Sequence, residues 1–381
     1  MQNPKLSAWK VVSREAGFTL VEMMIALLIF GTISAAAFSL MTQNAPIFNQ
    51  QQNQAGLNIS MRNSVAQIQA DMVNGGGGYY NGLNVPNWPV SVVINNNVVS
   101  SSGNCATGTT YGANCFDSFT IIAADPATTA VNPLADTSGT LPTPPGPYAC
   151  IAGSTDTSTF NDIYVQPPAN GSFQKYDQVL LVKSDASAYT TVRLTGVSNV
   201  TVGGTAYVKL SHSSLTNPDG TNVYADDPTN MSVNTNNLTT AAQFCATDYV
   251  VRLLPVQYGV DVTTDPTNPT LRRTLLNGLA TSPSTTFQGG TALANQIIGF
   301  KVGATLTSGV TDTSTYNFNS GTTASGGYNY DFASVHSVMV SMIGRTTPNP
   351  GATYTFRNTF DGGPYQIQGV SIVVNPRNMN F

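Results

Sequence analysis

The feature that most constrains this chain is an apolar stretch close to its N-terminus. From Phe18 to Met41 the sequence contains one charged residue, Glu22. About 20 consecutive apolar residues are enough for a helix to cross the hydrocarbon core of a bilayer. The stretch therefore predicts a transmembrane helix, and the carboxylate inside it needs an explanation of its own.

The basic residues on either side of this stretch predict its orientation. Three of them precede it, and the next one along the chain is Arg62. Basic residues that flank a membrane helix are mostly retained on the cytoplasmic side. We therefore expect a cytoplasmic N-terminus, a single pass through the membrane and an exported remainder. The three preceding residues are Lys5, Lys10 and Arg14.

Three kinds of segment share this outline. An ordinary signal peptide is cleaved after small residues that follow its apolar run, and Ala35–Ala37 offers such a place. A plain membrane anchor does not account for Glu22, because a carboxylate costs about 2.5–3.5 kcal/mol on insertion scales near the bilayer centre and, although it costs less near the end of the helix, it still needs a partner there. The third kind is cleaved before the apolar run and keeps its helix in the mature protein.

The residues that follow the basic segment, Gly17-Phe18-Thr19-Leu20-Val21-Glu22, resemble the prepilin signature of type IV pilins and their relatives. The resemblance implies that a prepilin peptidase cuts between Gly17 and Phe18, so that residues 1–17 are a leader. It also implies methylation of the new amine of Phe18, and pairing of Glu22 with the amine of a neighbouring subunit during assembly. A paired charge is tolerated in an apolar environment where an unpaired one is costly.

The helix is predicted to continue beyond the membrane, over residues 18–74, with its transmembrane segment at 18–41. After Pro46 an apolar stripe repeats every three or four residues, and the Gly75–Gly78 run ends it. The resemblance implies an α+β, pilin-like fold, in which the long N-terminal helix packs on a large, mainly antiparallel β head, residues 79–381. The stripe consists of Leu57, Met61, Val65, Ile68 and Met72.

Runs of β-branched residues, separated by Gly, Pro, Asn and Asp, predict that the head is built from strands. Gly203-Gly204 between two such runs predicts a hairpin. Residues 125–162 are predicted to form a long loop, and Ala241–Thr247 is the only further helix that the sequence suggests. The predicted strands are Val90–Ile94, Phe119–Ala123, Val179–Lys183, Val192–Leu194, Val200–Val202, Tyr207–Leu210, Tyr249–Leu254, Ile297–Val302, Val335–Ile343, Tyr354–Arg357 and Val370–Val374.

The chain has four cysteines, an even number in Thr- and Gly-rich sequence, which indicates two disulfides in an oxidising compartment. Four cysteines allow three pairings. We expect Cys105–Cys115, which closes a short Gly-rich loop, and Cys150–Cys245, which ties the long loop to the head. No two cysteines have the C-x-x-C spacing of zinc ribbons and redox motifs.

The sequence contains none of the common catalytic motifs, such as a G-x-S-x-G elbow, a phosphate-binding loop or H-E-x-x-H. His212 and His336 have no acidic or cysteine neighbours at ligand spacing. A segment around Asp219 is as rich in oxygen ligands as a calcium loop, but Leu215 occupies the first EF-hand position, so a surface turn is expected. Arg272-Arg273 is expected to be solvated or paired with loop carboxylates. We expect no enzyme activity, cofactor or metal.

The net charge of −4, without a Lys/Arg cluster, argues against a nucleic-acid surface on this chain. Scattered phrases of the C-terminal half resemble PilW-type minor pilins, which are related to the GspJ-type pseudopilins of type II secretion. These phrases include Arg252–Tyr258, Gln296–Phe300 and Val373–Asn378. The resemblance implies a minor pilin of a type IV pilus, a structural subunit that helps to start pilus assembly at or near the tip.

The size of the head favours this position, because a head as large as residues 79–381 would crowd its neighbours along a shaft, whereas a tip has room. The implied partners are prepilin peptidase, other minor and major pilins, the inner membrane and the pilus assembly machinery. The implied location is the inner membrane before assembly and the cell-surface pilus afterwards. Two alternatives remain: a type II secretion pseudopilin, and a pilus-tip adhesin that binds its target through polar loops.

Overall fold

The computed structural model of the protein has a long N-terminal helix followed by a β-rich head, and the helix packs on mainly antiparallel sheet. This confirms the predicted α+β fold class. The chain divides into two compact units, Met1–Asn53 and Gln54–Phe381. The structure describes residues 17–78, 92–95, 106–107, 110–111, 116–134, 150–152, 162–182, 184, 189–202, 204–211, 243–245, 247–278, 287, 289–308, 311–315, 335–348 and 356–376.

Helix α1 runs from Leu20 to Val73 and continues through Pro46. Its end is fixed by the glycine run, as the sequence suggests, because Gly76 and Gly78 have φ values of 73° and 79°. Such values favour residues that lack a Cβ atom. The N–H of Gly76 then donates to the carbonyl of Ile122 at 2.7 Å, which joins the helix terminus to the sheet.

Strands account for most of the regular structure described after α1. In chain order they are β1 (Val92–Asn95), β2 (Ala106–Thr107), β3 (Thr110–Tyr111), β4 (Ser118–Ala124), β5 (Pro133–Leu134), β6 (Cys150–Ala152), β7 (Asp162–Val165), β8 (Gln178–Val182), β9 (Tyr189–Arg193), β10 (Gly196–Val202), β11 (Thr205–Ser211), β12 (Gln243–Cys245), β13 (Tyr249–Asp261), β14 (Thr270–Leu275), β15 (Thr291–Asn295), β16 (Ile297–Ser308), β17 (Thr311–Thr315), β18 (Val335–Arg345) and β19 (Ile367–Val374).

The larger sheet has the order β1-β4-β13-β14-β15, with β8 and β9 attached to the first half of β13. Two further sheets have four strands each, in the orders β17-β16-β18-β19 and β10-β11-β7-β5. The hairpin predicted around Gly204 is present, since β10 and β11 pair antiparallel from Gly196–Ser211 to Val202–Thr205.

The described head has two apolar cores. The first lies between α1, the β4–β13–β14 region and the β16–β18–β19 sheet, and it contains the buried part of the predicted stripe, which is Leu57, Met61, Ile68 and Met72. The second core lies between β7, β8, β11 and the beginning of β13, and contains Ile163, Leu181, Leu210 and Val250. Burial of the stripe against the first core explains why α1 continues as a helix beyond its apolar first half.

Strand β13 is longer than the predicted Tyr249–Leu254 because it passes through Pro255. Proline cannot donate a ladder hydrogen bond and usually ends a strand inside a sheet. Here the residues paired with β8 end at Arg252, and those paired with β14 begin at Val256. Pro255 therefore lies in the gap between these two partners, where no ladder bond to either strand is lost.

Three local predictions were wrong. Gln243–Cys245, within the predicted helix, is strand β12, because it pairs with β6. Phe356 and Arg357, at the end of a predicted strand, belong to no strand. The predicted long loop contains β5 and β6, which pair with β7 and β12. In the first and third cases pairing with a distant segment outweighs the local sequence preference, which is weak for strands.

Candidate functional site

Thr19 and Glu22 form reciprocal hydrogen bonds at the beginning of α1. The backbone N–H of Glu22 donates to Oγ1 of Thr19 at 3.2 Å, and the backbone N–H of Thr19 donates to Oε2 of Glu22 at 3.0 Å. The Thr19 hydroxyl also donates to Oε2, at 3.0 Å. This arrangement is a capping box, which satisfies two backbone donors at a helix N-terminus. It explains why α1 begins at Leu20.

The interpretation of Glu22 as a residue for assembly alone missed this local role. The signal was present in the sequence, since Thr-x-x-Glu before an apolar run is the pattern of a capping box. The capping bonds use one carboxylate oxygen. The other, Oε1, makes no hydrogen bond with the described residues. One oxygen of Glu22 is thus committed to the helix start, and one is open to a partner from outside the chain.

Gly17 and Phe18 lie just before the helix, in backbone without regular secondary structure. The Phe18 side chain is 84% exposed. A Cβ atom placed on Gly17 would have no heavy atom within 4 Å. Among the described residues, no contact in the fold therefore requires glycine at position 17.

The first unit presents its apolar side chains outward. Helix α1 is long and apolar enough to cross a membrane, and the described residues contain no second helix of that kind. Contiguous apolar surface of this extent marks contact with a membrane or a partner. The large exposed side chains of this part of α1 are Leu20, Val21, Met23, Met24, Ile25, Leu27, Leu28, Ile29, Phe30, Ile33, Phe38, Leu40, Met41, Ile47 and Phe48.

Two of the four cysteines lie opposite each other in the backbone. Cys150 in β6 and Cys245 in β12 are register partners of an antiparallel pair. Directly opposite residues in such a pair have Cα atoms about 4.5–5.5 Å apart, which falls within the span of a disulfide. Cys105 and Cys115 lie outside the described residues. Both disulfides stay predictions, and the backbone register is compatible with Cys150–Cys245.

The structure describes only some of the other residues that the sequence singled out. His336 lies in β18, while His212 and the segment around Asp219 lie outside the described residues. Within the part of the chain that the structure describes, no group of three or more His, Cys, Asp or Glu side chains is placed to hold a metal ion.

The two adjacent arginines have separate partners. Nε of Arg272 lies 2.9 Å from Oδ2 of Asp261, which is the last residue of β13, and Nε of Arg273 lies 2.7 Å from Oδ2 of Asp71 on α1. The expectation of loop carboxylates was therefore wrong. Neighbouring residues of a strand point to opposite faces of the sheet, which is why Arg273 reaches the helix and Arg272 does not.

Arg252 bridges two carboxylates, one directly after β4 and one directly before β8. Its Nη1 donates to Asp125 at 2.6 Å, and its Nε donates to Asp177 at 2.6 Å. Burial pushes the pKa of Asp125 upward, but hydrogen bonds from Ala127, Thr128 and Arg252 outweigh burial and hold that pKa below its usual value. Arg252 is therefore a structural residue, because its guanidinium donates to two carboxylates of the same fold.

Arg345 is fully buried between two tyrosine rings. Its guanidinium carbon lies 4.8 Å from the ring centres of both Tyr111 and Tyr365, in cation–π geometry. Its Nη2 donates to the carbonyl of Thr267 at 2.5 Å. Both tyrosine hydroxyls donate to Asp361, and burial, followed by the bond to Asp361, raises the pKa of Tyr111 far above its ordinary value. No local pattern in the sequence predicts this cluster.

Comparison with known proteins bears on the N-terminal segment. The model of the prokaryotic N-terminal methylation motif matches residues 12–38, which include Gly17, Phe18 and the first part of α1. No curated protein and no solved structure matches the chain. The chain therefore carries a type IV prepilin-like N-terminus, followed by an apolar helix of the kind that anchors such proteins in the inner membrane.

Proposed function

We propose that this chain is a minor pilin of a type IV pilus, a structural and not a catalytic subunit that helps to start pilus assembly at or near the tip. The observation that carries the proposal is the coincidence of three features in one segment. The methylation motif covers residues 12–38, the scissile position at Gly17 and Phe18 is exposed, and the helix that follows presents its apolar side chains outward.

Glu22 supports a role in assembly through the oxygen that capping leaves open. An N-terminal amine on a neighbouring Phe18 would supply the positive partner for Oε1, and methylation of that amine keeps its charge. Removal of one partner of a buried ion pair costs about 3–5 kcal/mol, because the other charge is left without compensation. A helix-lined core of a fibre is apolar enough for this cost to decide whether a subunit is incorporated.

The second core supports a minor and not a major subunit. The sheet β10-β11-β7-β5 and its core extend the head beyond the part that packs on α1. Such bulk is difficult to repeat along a shaft, since one helix per subunit must still pack into a shared centre. At a tip the head has no subunit above it. The partners of this proposal are prepilin peptidase, the other pilins and the assembly machinery of the inner membrane.

The first experiment tests processing. Mass spectrometry of the mature chain is expected to find N-methylated Phe18 as the first residue. Gly17→Val is expected to abolish cleavage, because a side chain there obstructs the peptidase, whereas no described residue beyond its chain neighbours lies within 4 Å of the new Cβ. Gly31→Ala is the matched control, since its Cβ also meets nothing within 4 Å. An intact leader on the native chain, or a first residue after Ala37, contradicts the proposal.

The second experiment separates assembly from processing. Glu22→Gln keeps the capping box, because glutamine also serves at this position, but it removes the charge. The variant is expected to be cleaved and inserted normally, yet to be missing from sheared pili of a strain that lacks the native copy. Normal incorporation would exclude the charge pair.

A type II secretion pseudopilin shares the N-terminal features, so the same strain also decides between the two systems. Loss of the chain is expected to reduce the number of surface pili and to leave the secretion of folded exoproteins unchanged. The reverse result assigns the chain to type II secretion and contradicts the minor pilin.

A further inference from the structure

We infer that Thr19 is a positioning residue for leader cleavage, because its side chain begins α1 at Leu20 and so keeps the Gly17–Phe18 bond out of the helix. The inference deepens the proposed function and rests on it, since it assumes that a prepilin peptidase hydrolyses this bond. Thr19 itself is not cleaved or modified in this reaction.

The Thr19 hydroxyl competes with the backbone for one particular donor. In a helix that started one turn earlier, the N–H of Glu22 would donate to the carbonyl of Phe18, four residues before it. Here it donates to Oγ1 of Thr19 at 3.2 Å. The carbonyl of Thr19 is the one that begins the helical series, by accepting from the N–H of Met23 at 3.1 Å. The side chain thus takes the donor that extension of the helix would need.

The carboxylate of Glu22 accepts the second backbone donor of the capping box. It accepts the backbone N–H of Thr19 at 3.0 Å, and also the Thr19 hydroxyl at 3.0 Å. In a longer helix that N–H would donate to the carbonyl of residue 15 instead. Both bonds of the capping box are therefore lost when the helix extends past Thr19, so the box opposes that extension.

The preceding sequence does little to stop a helix on its own. Arg14, Glu15 and Ala16 are good helix formers, and no proline occurs between Pro4 and Pro46. Gly17 is the one unfavourable residue, at a cost of about 1 kcal/mol relative to alanine. A membrane helix that enters water at this end would therefore extend through the scissile bond unless Thr19 capped it.

Access to this bond matters for hydrolysis. Water must add to the carbonyl carbon of Gly17, the bond to the Phe18 nitrogen must break, and the products are a carboxylate on Gly17 and an amine on Phe18. In a helix the Gly17 carbonyl would instead accept the N–H of Val21 and be surrounded by the next turn. Exposed, irregular backbone is where proteases cut most readily, and Gly17 and Phe18 have that form here.

Two substitutions of Thr19 distinguish the effect of N-capping on leader cleavage from the effect of side-chain shape. Thr19→Val preserves the branched shape but has no acceptor oxygen. Thr19→Asn changes the shape but is at least as good an N-cap. Thr32→Ala is the matched control on the same helix, because the Thr32 hydroxyl bonds only back to the carbonyl of Ile29 at 2.9 Å. The rate of leader removal is measured on the full chain in membranes with prepilin peptidase, and kcat and KM are determined separately in detergent.

With Thr19→Val, we expect kcat/KM to fall about fivefold, the population change that corresponds to the loss of a typical N-cap. Thr19→Asn and Thr32→Ala should remain close to the native rate. A native rate for Thr19→Val overturns the inference. So does an equal loss for Thr19→Val and Thr19→Asn, since the peptidase would then recognise the threonine side chain itself. If the native chain is not cleaved after Gly17, it is the proposed function that fails.

Discussion

Asp71, in the last turn of α1, accepts a hydrogen bond from Nε of Arg273 on β14 at 2.7 Å. The hydroxyl of Tyr258 on β13 donates to the same carboxylate oxygen at 2.5 Å. Burial, followed by the bond to Asp71, raises the pKa of Tyr258 above its ordinary value. The carboxylate therefore fastens the end of the helix to two neighbouring strands, beside the apolar stripe that packs on the first core.

Asp71→Ala is expected to destabilise the head by about 2 kcal/mol, because the change leaves Arg273 and the buried Tyr258 hydroxyl without their acceptor. The midpoint of urea unfolding, measured on the full chain in detergent, checks this. Arg62→Ala is the control, because Arg62 lies on the exposed side of the same helix. Equal midpoints for the two variants would show that the contact does not stabilise the fold.

Arg252→Ala is expected to cost about 3 kcal/mol at neutral pH, because it leaves two buried carboxylates uncompensated. Arg252→Lys should restore only part of the loss, since one ammonium cannot reproduce the two-sided contacts of the guanidinium. Urea unfolding of both variants measures these differences. If Arg252→Lys were as stable as the native chain, the argument that the two contacts need a guanidinium would be contradicted.

The same cluster predicts a pH dependence. The pKa of Asp125 lies below its usual 3.8 in the folded state, so its contribution to stability is complete above the unfolded pKa. That contribution is lost as the pH falls from 3.8 toward the folded value, because the unfolded chain takes up the proton at a higher pH than the folded chain does. Unfolding midpoints between about pH 5 and pH 2 should fall more gently in Arg252→Ala than in the native chain. If the unfolding midpoints of Arg252→Ala and the native chain fell in parallel with pH, this prediction would be wrong.

Gly363→Ala is expected to destabilise the head by about 1–3 kcal/mol, because a Cβ atom at this position would lie 2.2 Å from the ring of Tyr365. The ring is packed against Arg345 and cannot move without disturbing it. Gly369→Ala is the control, since its Cβ meets nothing within 4 Å. Thermal unfolding followed by near-ultraviolet circular dichroism reports both stability and the tyrosine environment. Two equally stable variants would show that the cluster adapts freely.

Cys150 and Cys245 are expected to form a disulfide in an oxidising compartment, because they are opposite each other in the β6–β12 pair. Peptide mapping without reductant should find a fragment that joins the two residues. Cys245→Ser should release a free thiol at Cys150 and leave leader cleavage unchanged. A fragment that joins either residue to Cys105 or Cys115 would show a different connectivity.

The N-terminal segment could be understood from the sequence because its interactions are local. The capping box lies within Thr19–Glu22, the apolar run is continuous, and the stripe from Leu57 to Met72 repeats with the helical period. Each of these depends on residues that are at most four apart, so the pattern in the chain is also the pattern in space. The turn of the predicted hairpin around Gly204 is also local, since it joins Val202 to Thr205.

The tertiary structure decided what depends on distant partners. Asp71 meets Arg273 across 202 positions of the chain, and Arg345 reaches Tyr111 across 234. Strand β13 passes through Pro255 because its partner on one edge changes there from β8 to β14, while β4 pairs with it continuously on the other edge. Gln243–Cys245 is a strand because β6 lies beside it. Such contacts are selected by the burial of the two cores as a whole, and no short stretch of sequence carries that information.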